Sequence, residues 1–135
     1  MSHIAKVDTQ IKDLAMLKQA LTVLGIQYNE AEQGQTITLK GYGKNEIIED
    51  CIMEIKTGSS YSIGIRQKDK GYEVAADWWA IETFTGQKQE EIMNRITRQY
   101  AYETVMDKIR GMGYSVVQEE QDTKENLRIT VRRWD

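Results

Sequence analysis

The chain has 135 residues, 40% of them hydrophobic and 29% charged, which fits one globular domain over residues 1–135 and favours neither a disordered nor a fibrous class. A formal charge of −3 and a pI near 5.3 argue against non-specific affinity for nucleic acid or anionic membrane, because both need an excess of Lys and Arg on one face. Cys51 is the sole cysteine, which excludes an internal disulfide; with no apolar run of roughly 18 residues and no signal-like N-terminus, the expected location is the cytoplasm, with no membrane contact.

In chain order, His3 to Val7 alternates as a short strand does, and Asp8 or Thr9 is placed to cap a following helix. Leu14, Leu17, Leu21 and Leu24 share one face of that helix, and Gly25 stops it. Ile26 to Tyr28 and the alternating QTITLKGY read as a hairpin, and IIEDCIMEIK, YSIGIRQ and YEVAADWW then complete a meander. In YSIGIRQ the alternation of Tyr61, Ile63 and Ile65 with Ser62, Gly64 and Arg66 predicts one buried and one solvated face.

Residues 90–113 form a long helix in which Ile92, Ile96 and Tyr100 are read as one side and Tyr102, Val105, Met106 and Ile109 as the other, so the apolar stripe is expected to change face near Tyr100. Two strands, YSVVQEEQ and NLRITVRRW, follow. Aligning Gly25 with Gly113 sets Leu17, Leu21 and Leu24 against Val105, Ile109 and Met112, a helix-hairpin pseudo-repeat that common supersecondary grammar explains as well as duplication does. The predicted fold is α+β: two main helices on one face of a mostly antiparallel sheet.

Chemistry is sparse. His3 is the only histidine, no HExxH or CxxC occurs, and the acidic residues Glu49, Asp50, Glu119, Glu120 and Asp122 read as solvated strand or turn positions; neither metal nor cofactor is expected. Cys51 reads as a small buried hydrophobe, and a Cys51–His3 pair requires the first strand to lie beside it. The GYGK run at residues 41–44 lacks phosphate-loop spacing and reads as a bulge or turn.

The candidate binding residues are aromatic and cationic: Trp78 and Trp79, which on a strand point to opposite faces; Tyr100 and Tyr102; the terminal Arg132, Arg133 and Trp134; and His3. Core packing is the competing reading for each tryptophan.

Taken together, Ser2 and His3 with TQIKDLAMLKQAL, Gly41 and Tyr42, YSIGI, YEVAADW, RQYAYETV, Gly113 with Val116, and ITVRRW resemble the uncharacterised family of hypothetical chloroplast reading frame thirty-five, found in algal plastids, cyanobacteria and other bacteria. The resemblance covers essentially the whole chain. IIEDCIMEIKTGSS and the stretch after Trp79 depart from the pattern, so no role for Cys51 follows from it. The family supplies no mechanism, cofactor or catalytic residue; it implies a plastid location in algal relatives and points to ATPases of the AAA type as partners.

The expected function is therefore a non-catalytic protein-interaction or accessory module, with a second copy of the chain or an AAA-type ATPase as partner. An RNA-binding module using residues 40–44 with Arg132, Arg133 and Trp134 is the alternative, although nucleic acid is not the favoured partner. A small-molecule or enzymatic site near His3, Asp77 and Trp79 is the second alternative.

Overall fold

The computed structural model describes residues 3–121 and 127–133. The chain divides into two compact units, Met1–Tyr100 and Ala101–Asp135. The first holds strand β1 (Ile4–Asp8), helix α1 (Leu14–Leu24), strands β2 (Tyr28–Glu30), β3 (Ile37–Lys40), β4 (Ile47–Ile55), β5 (Ile63–Lys68) and β6 (Gly71–Asp77), and helix α2 (Trp78–Thr85). Helix α3 (Gln89–Gly111) contributes its residues up to Tyr100 to the first unit and the rest to the second, where β7 (Tyr114–Gln121) and β8 (Leu127–Arg133) follow. The class is α+β, and every strand pair among the described residues is antiparallel.

In the first unit the strand order is β1-β6-β5-β4-β2, with β3 also on β4. Asp8 is the last residue of β1, and the cap of α1 is Asp13: its Oδ1 accepts the N–H groups of Ala15 at 2.9 Å and Met16 at 3.3 Å. The cap lies later than expected because residues 9–12 first carry Ile11 into the core. Gly25 ends α1 at φ 73°, the left-handed geometry that a residue without Cβ adopts at little cost.

The expected hairpin between the next two strands does not form. β2 pairs with Met53–Ile55 of β4 and β3 with Ile47–Cys51 of the same strand, so the two are successive pieces of one edge strand, parted by an excursion at residues 31–36. The meander β4-β5-β6 is as expected. β5, however, is buried on both faces: Ile63 and Ile65 face the main core, while Ser62 and Gly64 are buried as well. The face carrying Gly64 has its own apolar cluster, Leu39, Ile48, Cys51 and Ala75. A Cβ on Gly64 would stand 2.6 Å from Cys51 Sγ, so glycine is what lets the thiol lie flat there.

The main core joins Met53, Ile55, Ile63, Ile65, Val74 and Ala76 of the sheet to Leu17 and Leu21 of α1, Trp78 and Ile81 of α2, and Ile92 and Ile96 of α3. The two main helices thus share one face of the sheet, as predicted, and α2 joins them. That third helix corrects the reading of YEVAADWW as strand to its end: Asp77 closes β6 opposite Ile4 and caps α2 by accepting Ala80 N–H at 3.1 Å.

The stripe on α3 does not change sides at Tyr100. At about 100° per residue Met106 falls about 40° from Ile92, and the buried positions Ile92, Ile96, Glu103 and Met106 keep to one face while Val105 is exposed. Buried Glu103 interrupts the stripe, which made the exposed Val105 look like its continuation. In the second unit β7 and β8 form a hairpin with a register shift between Val116 and Gln118. Gly113 is left-handed like Gly25, but Leu17 is buried where its counterpart Val105 is not, so only the helix-glycine-strand order recurs.

Candidate functional site

The antiparallel register of β1 on β6 sets Ile4 opposite Asp77, which brings His3 to the start of α2. The imidazole stacks on Trp79, centroids 5.0 Å apart and planes 23° from parallel. Tyr42, in the turn joining β3 to β4, meets Trp79 edge-on at 4.7 Å and lies 6.3 Å from Tyr61 and 6.2 Å from Phe84. Tyr61 and Phe84 stack at 5.6 Å, and Lys40 Nζ stands 5.4 Å over the Tyr61 ring. Contact distances of this order are those of favourable aromatic and cation–π pairs.

The resulting patch stays open to solvent: Tyr42 is 51%, Trp79 43% and Phe84 55% exposed. Beside it lies a shallow hollow of about 570 Å³ lined by Lys40, Gly58, Ser59, Ser60, Tyr61 and Phe84.

Beneath the patch two carboxylates converge. Asp77 is 1% exposed; Oδ1 accepts the Ala80 N–H that caps α2, and Oδ2 accepts Tyr42 N–H at 2.8 Å. Glu46, half-buried, closes the same turn. Gly41 N–H donates to its carbonyl at 2.7 Å, its own N–H donates to the Gly43 carbonyl at 3.1 Å, and Oε2 accepts Gly43 N–H at 3.3 Å. A Cβ on Gly41 would lie 3.2 Å from Glu46 Oε2 and 3.3 Å from Asp77 Oδ2, and one on Gly43 2.7 Å from Glu46 Cδ. The GYG run is a turn, as expected, whose glycines let backbone close over both acids.

Ligand atoms of His3, Glu46 and Asp77 all lie within 4.8 Å of one another. No Lys or Arg forms an ion pair with either carboxylate among the described residues. Two negative charges at that spacing repel by about 3 kcal/mol at an effective dielectric near 20 and by about 1 kcal/mol in bulk water.

Of the residues singled out from sequence, His3, Asp77 and Trp79 therefore meet. Trp78 and Trp79 do diverge, but from a helix: Trp78 enters the core and Trp79 the patch. Tyr100 is half-buried against the core, and its hydroxyl accepts the N–H groups of Lys12 at 3.0 Å and Asp13 at 3.2 Å. Tyr102 belongs to the second unit and donates to Glu119, a bond that holds its phenol above the ordinary value. Arg132 is exposed on β8, Arg133 pairs through its backbone with Tyr114, and Trp134 lies outside the described residues. The Cys51–His3 pair is not set up by strand pairing, because β1 pairs with β6 rather than with β4, which carries Cys51.

Sequence reasoning missed Tyr42, Tyr61 and Phe84 as a group, and Glu46 altogether. A signal for α2 was available: Asp77 stands three residues before Ala80 and Gly86 follows Thr85, the two ends of a short capped helix.

Fold and site define an α+β domain whose antiparallel sheet carries helices on one face and an exposed aromatic patch over a His-carboxylate-carboxylate cluster. The family described as protein of unknown function (DUF1257) matches residues 20–130, and the chain belongs to it. It is 28% identical over 141 residues to the uncharacterized protein ycf35 of Cyanophora paradoxa, covering 99% of this chain and 98% of that one. With the ycf35 protein of Guillardia theta identity is 32% over 142 residues, covering 99% and 98%, and with that of Pyropia yezoensis 28% over 141 residues, covering 100% and 99%. No solved structure matches the chain. His3, Gly41 with Tyr42, and the end of YEVAADW, three separate segments on which the family resemblance was read, meet in this one site. No helix of the described residues is long and apolar enough to cross a membrane.

Proposed function

We propose that the protein is a non-catalytic interaction module whose docking surface is the patch of Tyr42, Tyr61, Trp79 and Phe84, and that it binds a short segment of another protein. The observation that carries this reading is the contiguity of rings that the fold leaves half in solvent. At roughly 150–250 Å² for a whole aromatic side chain, the exposed parts of Tyr42, Trp79 and Phe84 offer about 300 Å². A stable globular interface takes about 800 Å² from each partner. The patch therefore suits a peptide segment better than a second copy of the chain.

Lys40 forms no ion pair among the described residues, which favours a segment with an apolar side chain for the hollow and a carboxylate for Lys40. An RNA strand is disfavoured, since its phosphates would approach Glu46, Asp77 and a chain of net charge −3. The resemblance makes an AAA-type ATPase the first protein in which to look for the segment. A lone buried thiol fits work in the cytoplasm.

A photo-crosslinking amino acid at position 84 tests the proposal in cells that make the protein. The expected result is a discrete protein adduct, lost on adding Tyr42→Ala or Lys40→Glu and competed away by a synthetic peptide of the crosslinked segment. A nuclease-sensitive adduct, an adduct only with a second copy, or no adduct would overturn it.

A further inference from the structure

We propose that His3, Glu46 and Asp77 bind one divalent first-row transition metal ion, with Trp79 as the wall that holds the imidazole. The three side chains come from segments far apart in sequence, so their meeting follows from strand register and not from local composition. Metal–nitrogen and metal–oxygen bonds of roughly 2.0–2.2 Å set an upper limit of about 4.4 Å between two ligand atoms. The present spread, within 4.8 Å, closes to that by small rotations of His3, which is exposed, and Glu46, which is half-buried.

One observation independent of that spacing points to a cation, and a second shows how the imidazole is kept beside the acids. The carboxylate pair has no Lys or Arg counter-ion among the described residues, although Asp77 is 1% exposed. The imidazole stacks on Trp79, which keeps it beside the acids while leaving the small rotation that ligation needs. Each oxygen of Asp77 accepts one backbone N–H and keeps a second lone pair, so ligation does not require breaking the α2 cap.

One imidazole and two carboxylates form a mixed nitrogen–oxygen set without sulfur, since Cys51 is buried in a separate cluster. That set suits Zn²⁺, Mn²⁺, Fe²⁺ or Co²⁺, whereas Mg²⁺ and Ca²⁺ favour all-oxygen sites and Cu(I) favours sulfur. Three protein ligands leave coordination positions open for water or for a group on a docked partner. The inference does not depend on the docking proposal: metal binding is read on the isolated chain.

Co²⁺ is the probe. The full chain, stripped with chelator, is titrated with Co²⁺ and followed by visible absorption of the bound ion and by tryptophan fluorescence. Saturation at one ion per chain with quenching is expected, and Trp79→Phe should keep the absorption band while losing most of the quench. Glu46→Gln, His3→Ala and Asp77→Asn should each weaken binding at least about tenfold with the far-ultraviolet dichroism unchanged. If Asp77→Asn alters the dichroism, Glu46→Gln, which leaves the cap of α2 intact, decides. Absent saturation in the unmodified chain overturns the proposal, and so does binding lost in His3→Ala but unchanged in Glu46→Gln, which would mark a terminal histidine acting alone.

Discussion

Asp77 joins fold and site, and the proposed arrangement can be tested on it without any ligand. Asp77→Ala removes the acceptor that caps α2, worth about 1 kcal/mol, and the acceptor of Tyr42 N–H at 2.8 Å, worth roughly 1.5–3 kcal/mol as a bond to a charged group. It also removes the repulsion between Asp77 and Glu46, which returns about 1–3 kcal/mol at a separation within 4.8 Å. Because Glu46 is half-buried and screened, the lower part of that range applies, leaving a net loss of about 2 kcal/mol.

Asp77→Asn separates the two effects. The amide keeps one acceptor oxygen and loses the charge, so its stability should fall within about 1 kcal/mol of the unmodified chain. Glu46→Gln likewise keeps an acceptor for Gly43 N–H while removing the repulsion, and should raise stability by about 1 kcal/mol in metal-free buffer, an effect that shrinks in high salt. Urea unfolding of the metal-free chain, followed by far-ultraviolet dichroism, measures all three. Asp77→Ala within about 0.5 kcal/mol of the unmodified chain, or Asn as damaging as Ala, would refute the account, since the hydrogen bonds and the charge pair would then not be contributing as stated.

Other consequences concern the sheet and its edges. Gly64→Ala should cost about 2 kcal/mol, because its Cβ would stand 2.6 Å from Cys51 Sγ and 3.3 Å from the Ala75 carbonyl; Cys51→Ala in the same chain should recover part of the loss in a urea titration. Burial pushes the Cys51 thiol up to about 11. The unfolded chain releases that proton earlier, so the contribution is intact below the ordinary thiol value of 9.0 and is lost as pH rises towards 11, by roughly 2–3 kcal/mol, a slope that Cys51→Ala should remove. Tyr100→Phe leaves the Lys12 and Asp13 N–H groups to water and should cost about 0.5–1 kcal/mol by thermal unfolding.

The parts of the fold legible in the sequence are those fixed by short-range periodicity. Leu17 and Leu21 with Gly25 announce α1, and the β4-β5-β6 meander follows from alternation because consecutive strands there pair with one another. Of the two errors of strand and helix placement, one arises where the deciding partner is remote and the other where a local cap was passed over. β2 and β3 each look able to pair with the other, and only the length of β4 shows that it can take both along one edge. The run after Ala76 is apolar on either reading, and the choice between strand and helix rests on Asp77 accepting Ala80 N–H.

The site repeats the lesson with sharper effect. His3 near the start, Glu46 in a turn and Asp77 at a strand end carry no local signature, and the acids weighed for metal binding from the sequence were the adjacent pairs Glu49–Asp50 and Glu119–Glu120 with Asp122 close by, which are the easiest to see. Adjacent acids on a strand point to opposite faces and seldom share an ion. Acids brought together by register and covered by a glycine turn do share a space, as the contacts a Cβ on Gly41 would make with Glu46 and Asp77 demonstrate. His3 became a residue with a definite environment only when β1 was placed on β6, because that pairing alone sets it against Trp79.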